Sequence, residues 1–412
     1  RFDNAVQVER VGGAANGTLQ TMRLPTSEPD SVIAGRPVLY DAVSTSGNGE
    51  ASCASCHIFG DFDSLAWNLG DPDGASTTNP QFVLGGGPGV GPDFHPMKGP
   101  MTTQTLRGLS THGAMHWRGD RSNGFFNPAP SPCVSAAAGD CDEELSFDNF
   151  IVAFEGLIGH DGLIATSEME KFTDFALQLM PPPNPVAPLD GLNASQASGR
   201  SHYDIIPADA GVPCNTCHTL DPSQGFFGAN GSQTFEGEPQ LFKVAHLRNA
   251  YQKIGMFGIA GVTGNLGDQV RGVGFLHDGS IDTLFNFLDV GPFALSQTQI
   301  NELEQFMLAF PSDLAPVVGQ QVSVGPGSPG SLNGAGSAVS GVVNTRINLL
   351  EARADEPFTS AVLGGSVTEC DLIAKTVEAG VMRGYRENAA GSFEPDDGGP
   401  PIALPTLRDK AT

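Results

Sequence analysis

The chain of 412 residues carries 46 acidic against 21 basic side chains, a formal net charge of −25. So acidic a surface excludes a nucleic-acid-binding protein, which sets basic groups against phosphate, and no apolar run nears the length of a membrane span. The length suits about two to four domains, and 53 glycines with 31 prolines predict long structured loops.

Residues 1–29 form a lead segment. From Gly35 the chain reads GRPVLYDAVSTSGNGEASCASCH, ending in Cys53, Cys56 and His57. Cys-x-x-Cys-His is the attachment signal of a c-type haem. Two thiols three positions apart reach the two vinyl groups on one porphyrin edge, and the adjacent imidazole lies under the iron as its proximal ligand. A zinc site would gather four ligands from two nearby pairs, and a thiol redox pair needs no histidine in the fifth place. The same pattern returns in GRSHYDIIPADAGVPCNTCH, from Gly199 to Cys214, Cys217 and His218. Both copies run Gly-Arg, then Tyr-Asp, then a polar loop, then the motif. Downstream, TLRGLSTHGAMHWRGD (105–120) is echoed by HLRNAY (246–251) and FLHDGS (275–280). The chain therefore reads as an internal duplication with unequal insertions.

Between the motifs, Cys133 and Cys141 flank a small loop, and a bridge there would add roughly 2–3 kcal/mol in the loop-entropy model. Residues 167–180 predict a helix opened by a Ser167/Glu170 capping box, with Met169, Phe172, Ala176 and Leu179 on one face. PPPNPVAP (181–188) ends it as a linker. In the second half Ser280 is expected to cap IDTLFNFL, and Ser296 to open a helix with Ile300, Leu303, Phe306 and Phe310 inward. Residues 319–341 read as a flexible connection, 344–354 as a helix and 370–388 as a β-hairpin. Cys370 has no evident partner. The expected fold is mainly α. It has two duplicated cytochrome c-like helical lobes, each around one covalent haem, with long loops and a small α+β C-terminal appendage. The domains are 1–29, 30–185, 186–312 and 313–412.

Two haem motifs, HWRGD between them, and FKVAHLRN then FLHDGS after the second resemble the bacterial di-haem cytochrome c peroxidases, a superfamily that includes MauG-like proteins. The resemblance covers roughly residues 30–312. It implies a peroxidatic first haem, a high-potential second haem through which electrons enter, and a tryptophan between them, here Trp117; Trp67 lacks that motif. His57 and His218 are then proximal ligands. His95, before KGP (98–100), takes the place of a removable distal ligand, with His112 and His116 as rivals, and the Pro100 carbonyl is expected on Nδ1 of His57. At the second haem the usual methionine position is empty of methionine, and Met256 is the candidate, with Met307 and Tyr251 behind it. The family's glutamate, which moves a proton between the peroxide oxygens, falls on Glu168 or Glu155. Arg107 and Arg248 are implied partners of haem propionates, a role His246 and His277 could share. Calcium is implied between the lobes, near Thr102 and residues 272–274.

Haem attachment places the chain outside the cytoplasm, periplasmic or extracellular, and its start, RFDNAV without methionine, fits a processed, exported protein. Three functions are compatible with these residues. One is an enzyme reducing hydrogen peroxide with electrons from a small cytochrome or cupredoxin steered by the acidic surface; a variant oxidises a protein or organic substrate. The second is a pure electron carrier. The third is a subunit of an extracellular redox assembly or homo-oligomer.

Overall fold

The computed structural model describes residues 5–11, 17–23, 26, 28–79, 82–83, 87–88, 91–111, 114–121, 142–188, 191–222, 226–229, 231–234, 240–255, 273–323, 341–360 and 365–410. Chain contacts divide it into two compact bodies, Val38–Leu314 and Arg1–Pro37 with Ala315–Thr412. The protein is helix-rich, and the strands among the described residues are mostly two to seven residues long. Among the described residues no helix is long and apolar enough to cross a membrane.

Within Val38–Leu314 one succession of turns occurs twice. Cys53–Ser55 and Cys214–Cys217 each make a single helical turn, closed by His57 N–H on the Cys53 carbonyl (2.9 Å) and His218 N–H on the Cys214 carbonyl (2.8 Å). The two histidines leave that turn with near-identical backbone angles, φ −86°, ψ 67° and φ −88°, ψ 63°. Leu106 N–H then donates to the Gly60 carbonyl (3.0 Å) and Leu247 N–H to the Phe227 carbonyl (3.1 Å). One residue on, Arg107 N–H is accepted by Thr105 Oγ1 at 3.1 Å and Arg248 N–H by His246 Nδ1 at 3.3 Å. Short 3₁₀ turns follow at Leu109–Thr111 and Ala250–Gln252. Last, the pairs Met115/Arg121 and Phe275/Ile281 bridge two tight loops. In these, His116 and Leu276 sit at φ 70° and 65°, and Gly119 and Gly279 at φ 67° and 74°.

The halves are joined by a crossed pair of backbone bonds. Thr102 N–H donates to the His277 carbonyl (2.7 Å), and Lys243 N–H to the Trp117 carbonyl (2.8 Å). Each loop of one half thus pairs with the segment leading into the Leu-Arg element of the other.

Helix Thr166–Ala176 buries Met169, Phe172, Phe175 and Ala176 in the first half, where Phe172 meets Phe147 edge-on. It starts earlier than the sequence suggests. Ala165 is its N-cap and offers no side-chain bond, so the Ser167/Glu170 box is not formed; Ser167 lies inside the first turn. Ser280 likewise caps nothing. Its N–H donates to Asp278 Oδ1, and Thr283 caps Leu284–Leu288 instead. Gln297–Leu308 does open at Ser296, with a reciprocal Gln299 box, and Ile300, Leu303, Phe306 and Phe310 are buried. It packs on helix Ala194–Ile205, where Tyr203 touches Phe306 and Phe310.

In the other body, Ala5–Arg10 pairs with Gly17–Arg23, and Gly341–Ala354 is helical. The expected hairpin is Ile373–Glu378 with Val381–Glu387. It extends through Ser392–Pro395 and Ile402–Ala403 to a four-stranded antiparallel sheet, closed over Tyr385, Phe393 and Leu407.

Gly199 lies where the two packed helices touch, and a Cβ there would collide with the Glu302 carbonyl and crowd Phe306 Cβ. A backbone atom cannot rotate away, so Gly199→Ala is expected to destabilise by about 1–3 kcal/mol. Gly156→Ala, which meets nothing within 4 Å, is the control. Denaturant midpoints of both variants check this.

Candidate haem sites

The second-half motif opens into a cavity of ≈ 680 Å³ whose wall includes Cys214, Cys217 and His218. Tyr203, Phe242, Leu284, Phe287, Leu288 and Met307 are among its apolar lining residues. The His218 ring is fixed on one side. Its Nδ1 lies 2.9 Å from the carbonyls of Gly228 and Ala245. Carbonyls only accept, so Nδ1 carries the proton and Nε2 is left with its lone pair. The Tyr203 hydroxyl donates to the His218 carbonyl and holds the backbone of the same residue. Burial pushes the imidazole below its ordinary range, which keeps it neutral, and pushes the Cys214 thiol up to about 11.

In the first-half motif one backbone carbonyl fixes the ring in the same way. His57 Nδ1 donates to the Gln104 carbonyl at 2.9 Å. Gln104 stands two residues before Leu106, as Ala245 stands two before Leu247, so the two bonds occupy equivalent places. The expected Pro100 carbonyl does not serve here, because the strand Met101–Thr102 carries the chain on to Gln104 before it turns under the ring. Burial lowers His57 and pushes Cys53 up to about 11.

These features fit a c-type haem: two thiols beside a neutral imidazole with an oriented lone pair and, in the second half, a largely apolar chamber. Lys243 and Lys253, which the sequence reading passed over, also line that chamber. Burial lowers them to about 7 and about 8, and a carboxylate placed beside them would favour their charged form. Among the described residues no group of three or more His, Cys, Asp or Glu gathers as a metal cage. The Thr102 carbonyl accepts the Trp117 Nε1–H at 2.8 Å.

Trp117, from the first-half loop, lines the second-half cavity together with His277. His277 stacks on Phe242 with centroids 4.3 Å apart. Trp67 is exposed and donates to Asp63. Arg107 gives its guanidinium to the carbonyls of Met180 (3.0 Å) and Phe59 (2.9 Å). Arg248, 1% exposed, gives its own to the Gly108 carbonyl (2.6 Å) and Thr111 Oγ1 (3.1 Å), with its plane 4.7 Å from the Phe227 ring centre. Both arginines act here as backbone clamps. His95 is exposed, and its Nδ1 accepts from Met97 N–H. That tautomer puts the proton on Nε2, so iron ligation through Nε2 requires this bond to break. Arg118 holds the same loop through the carbonyls of His95 and Met97. Glu168 is half-buried and paired with Lys171 at 2.5 Å, and Glu155 is exposed near the end of Val152–Gly156. Met256, His112, Cys133, Cys141 and Gly272 lie outside the described residues.

A second pair of titratable side chains, His116 half-buried and Asp120 buried, lies in HWRGD. His116 Nδ1 lies 2.7 Å from Asp120 Oδ1. His116, Arg121 and Lys98 hold the Asp120 carboxyl well below the usual range although burial opposes this. The i, i+4 spacing in HWRGD is the signal that could have revealed it.

No family model matches the chain, and no curated protein sequence matches it. Solved structures of similar arrangement include hydrazine synthase from Kuenenia stuttgartiensis, 15% identical with a TM-score of 0.43 over 69% of this chain and 88% of that one. A MauG-like protein associated with microbial copper homeostasis is 15% identical, TM-score 0.38, over 70% and 91%. The diheme peroxidase BthA of Burkholderia thailandensis is 15% identical, TM-score 0.34, over 69% and 86%.

Replacing Arg248 by Met keeps its bulk and removes its donors. The Gly108 carbonyl and Thr111 hydroxyl then lose partners inside the fold, at a cost of about 1–3 kcal/mol. Chemical denaturation of Arg248→Met against Arg107→Met, whose clamp is less buried, should rank Arg248 as the costlier loss.

Proposed function

We propose that the chain is an exported di-haem c-type cytochrome built from two duplicated cytochrome c-like lobes, and that it reduces hydrogen peroxide in the first half with electrons entering through the second. The observation that carries this reading is the pair of Cys-x-x-Cys-His turns with one backbone geometry and a ring-orienting carbonyl bond at the equivalent place in each. Cys53, Cys56, Cys214 and Cys217 would hold the two porphyrins, and His57 and His218 their irons. A haem in each half supplies a redox-active iron.

The chain's own part is orientation and connection. The Gln104 and Ala245 carbonyls fix the imidazoles. Trp117 stands in the wall of the second chamber on a loop of the first half, which suits a relay between the two. Lys243 and Lys253 would face propionates. His95 and Met256 are the proposed distal ligands, with calcium between the halves, in the periplasm or outside the cell. A small basic electron-donor protein fits the net charge of −25 through steering.

The surface position of Glu155 and Glu168 favours a second reading, a carrier without catalysis, alone or within a redox assembly. Reduction of one equivalent per chain, followed by optical and EPR titration with hydrogen peroxide, separates the two. The peroxidase reading expects two haems per chain by pyridine haemochrome, one iron turning high-spin on half-reduction, and reoxidation of both by peroxide. Two irons that stay low-spin and ignore peroxide would overturn it in favour of the carrier.

A further inference from the structure

The two halves repeat a backbone and differ in what they hang on it. The loop bridged by Phe275 and Ile281 turns Leu276 and Ile281 into the wall of the second-half cavity. The loop bridged by Met115 and Arg121 has the same turns and the same left-handed residues, at its second and fifth positions. By that correspondence His116 stands where Leu276 stands, Asp120 where Ser280 stands and Arg121 where Ile281 stands. The direction of the ring agrees. Trp117 faces the second-half chamber, whereas His116, its neighbour, packs edge-on against Phe150 at 4.6 Å among the aromatic residues of the first half.

The imidazole is desolvated, yet 36% of its side-chain surface is open. By the correspondence with Leu276, which lines the second-half cavity, this open surface belongs to the matching space in the first half. Asp120, 7% exposed on its side chain, accepts the Nδ1 proton, so the nitrogen facing that space is Nε2 with its lone pair. The charged groups around the ring are Asp120, Arg121 and Lys98. Arg121 lies over Phe150, 5.6 Å from its centre, on the same side.

We propose that His116, oriented by Asp120, is the proton-transferring group for hydrogen peroxide in the first half, in the role assigned by resemblance to Glu168 or Glu155. The proposal rests on the peroxidase reading for its substrate. His116 Nε2 takes the proton from the inner peroxide oxygen and delivers it to the outer one. The O–O bond breaks with its electron pair on the outer oxygen, which leaves as water. The inner oxygen takes two electrons, supplied by a reduced donor protein, and two protons from solvent, and leaves as the second water. Asp120 is a positioning residue: it keeps the proton on Nδ1 and balances the imidazolium that forms.

Hydrogen cyanide tests the proton transfer apart from turnover, because it must lose a proton to bind ferric haem as the anion. Its association rate is followed optically on the half-reduced, doubly haem-loaded protein as a function of pH. His116→Phe is expected to slow association by about 10²-fold, and His116→Gln to do the same. Asp120→Asn, which keeps the volume and loses the charge, should slow it by about 10-fold and move the pH midpoint of the rate downwards. Haem stoichiometry and far-UV circular dichroism check that each variant is folded; if His116→Phe fails that check, His116→Gln and Asp120→Asn decide.

Unchanged rates in the folded variants overturn the proposal. So does a change from low-spin to high-spin in His116→Phe, which would make His116 an iron ligand. So does a parent protein whose first haem takes up no cyanide. Peroxide consumption by the parent is scored separately. If it is absent while the cyanide rates fall, the peroxidase reading fails and His116 stands as proton acceptor. If peroxide is consumed and the rates do not fall, the reading stands and His116 does not.

Discussion

The bond from each motif histidine to a distant backbone carbonyl is the constraint around which Val38–Leu314 is arranged. An imidazole in a helical turn has free rotation about its side-chain bonds. A carbonyl 2.9 Å from Nδ1 removes that freedom and fixes the tautomer. The acceptor must come from a segment that does not titrate or rotate, and backbone meets that need. In both halves this forces the chain to return under the motif after a long excursion, at Gln104 and at Ala245. The neighbouring bonds follow from that return: Leu106 to the Gly60 carbonyl and Leu247 to the Phe227 carbonyl. Gly60 and Gly228 sit at φ 74° and 90° there, conformations a side chain resists.

A second consequence is mechanical. The segments that supply those carbonyls begin at Thr102 and Lys243, and these are the residues whose N–H groups cross to the other half. The bond that orients one imidazole is therefore two residues from the bond that joins the halves. Arg248 adds a buried clamp from the second half onto Gly108 and Thr111 of the first. Trp117 is held at both ends of its peptide-and-ring unit, by its carbonyl to Lys243 and by its indole N–H to Thr102. A side chain so fixed keeps one distance to both halves, which is what a relay requires and a flexible wall residue does not.

Much of this was legible in the residues, and the losses have physical causes. The motifs, the repeat of the Leu-Arg and Asp-Gly elements and the helix from Ser296 rest on local chemistry, and each folds as its residues dictate. The Ser167 and Ser280 caps failed because cap preference is worth about 1 kcal/mol, and burial of Met169 and Phe172, or closure of the Asp278 turn, outweighs that. The Pro100 carbonyl was misplaced because which carbonyl meets a ring depends on where the chain turns back, and no local signal marks Gln104. Arg107 and Arg248 were read as carboxylate partners since bidentate pairing is what arginine does best; their donors reach backbone carbonyls, the Thr111 hydroxyl and, for Arg107, the Asp61 carboxylate at 3.7 Å, and the propionate role stays an expectation. The glutamates were chosen by order along the chain; Glu155 is exposed and Glu168 lies half-buried beside Lys171.

The His116, Asp120 and Arg121 cluster has a built-in comparison. The second half shows that this loop closes with Leu276, Ser280 and Ile281 at the same three places, so the backbone does not need charges at those positions to hold its shape. Burying a carboxylate and a guanidinium costs several kcal/mol per ion before their pairing is counted, and an apolar set of similar volume is often as stable or more so. Stability alone then gives no account of why one copy of the loop is polar. The exception is also directional: the carboxylate meets Nδ1 and leaves Nε2 open, whereas a purely structural pair gains nothing from sparing that nitrogen. Two copies of one loop, one with Leu276, Ser280 and Ile281 and the other with a base, its counter-ion and a cation at the same three places, are the physical difference expected between a site that only passes electrons and a site that also moves protons.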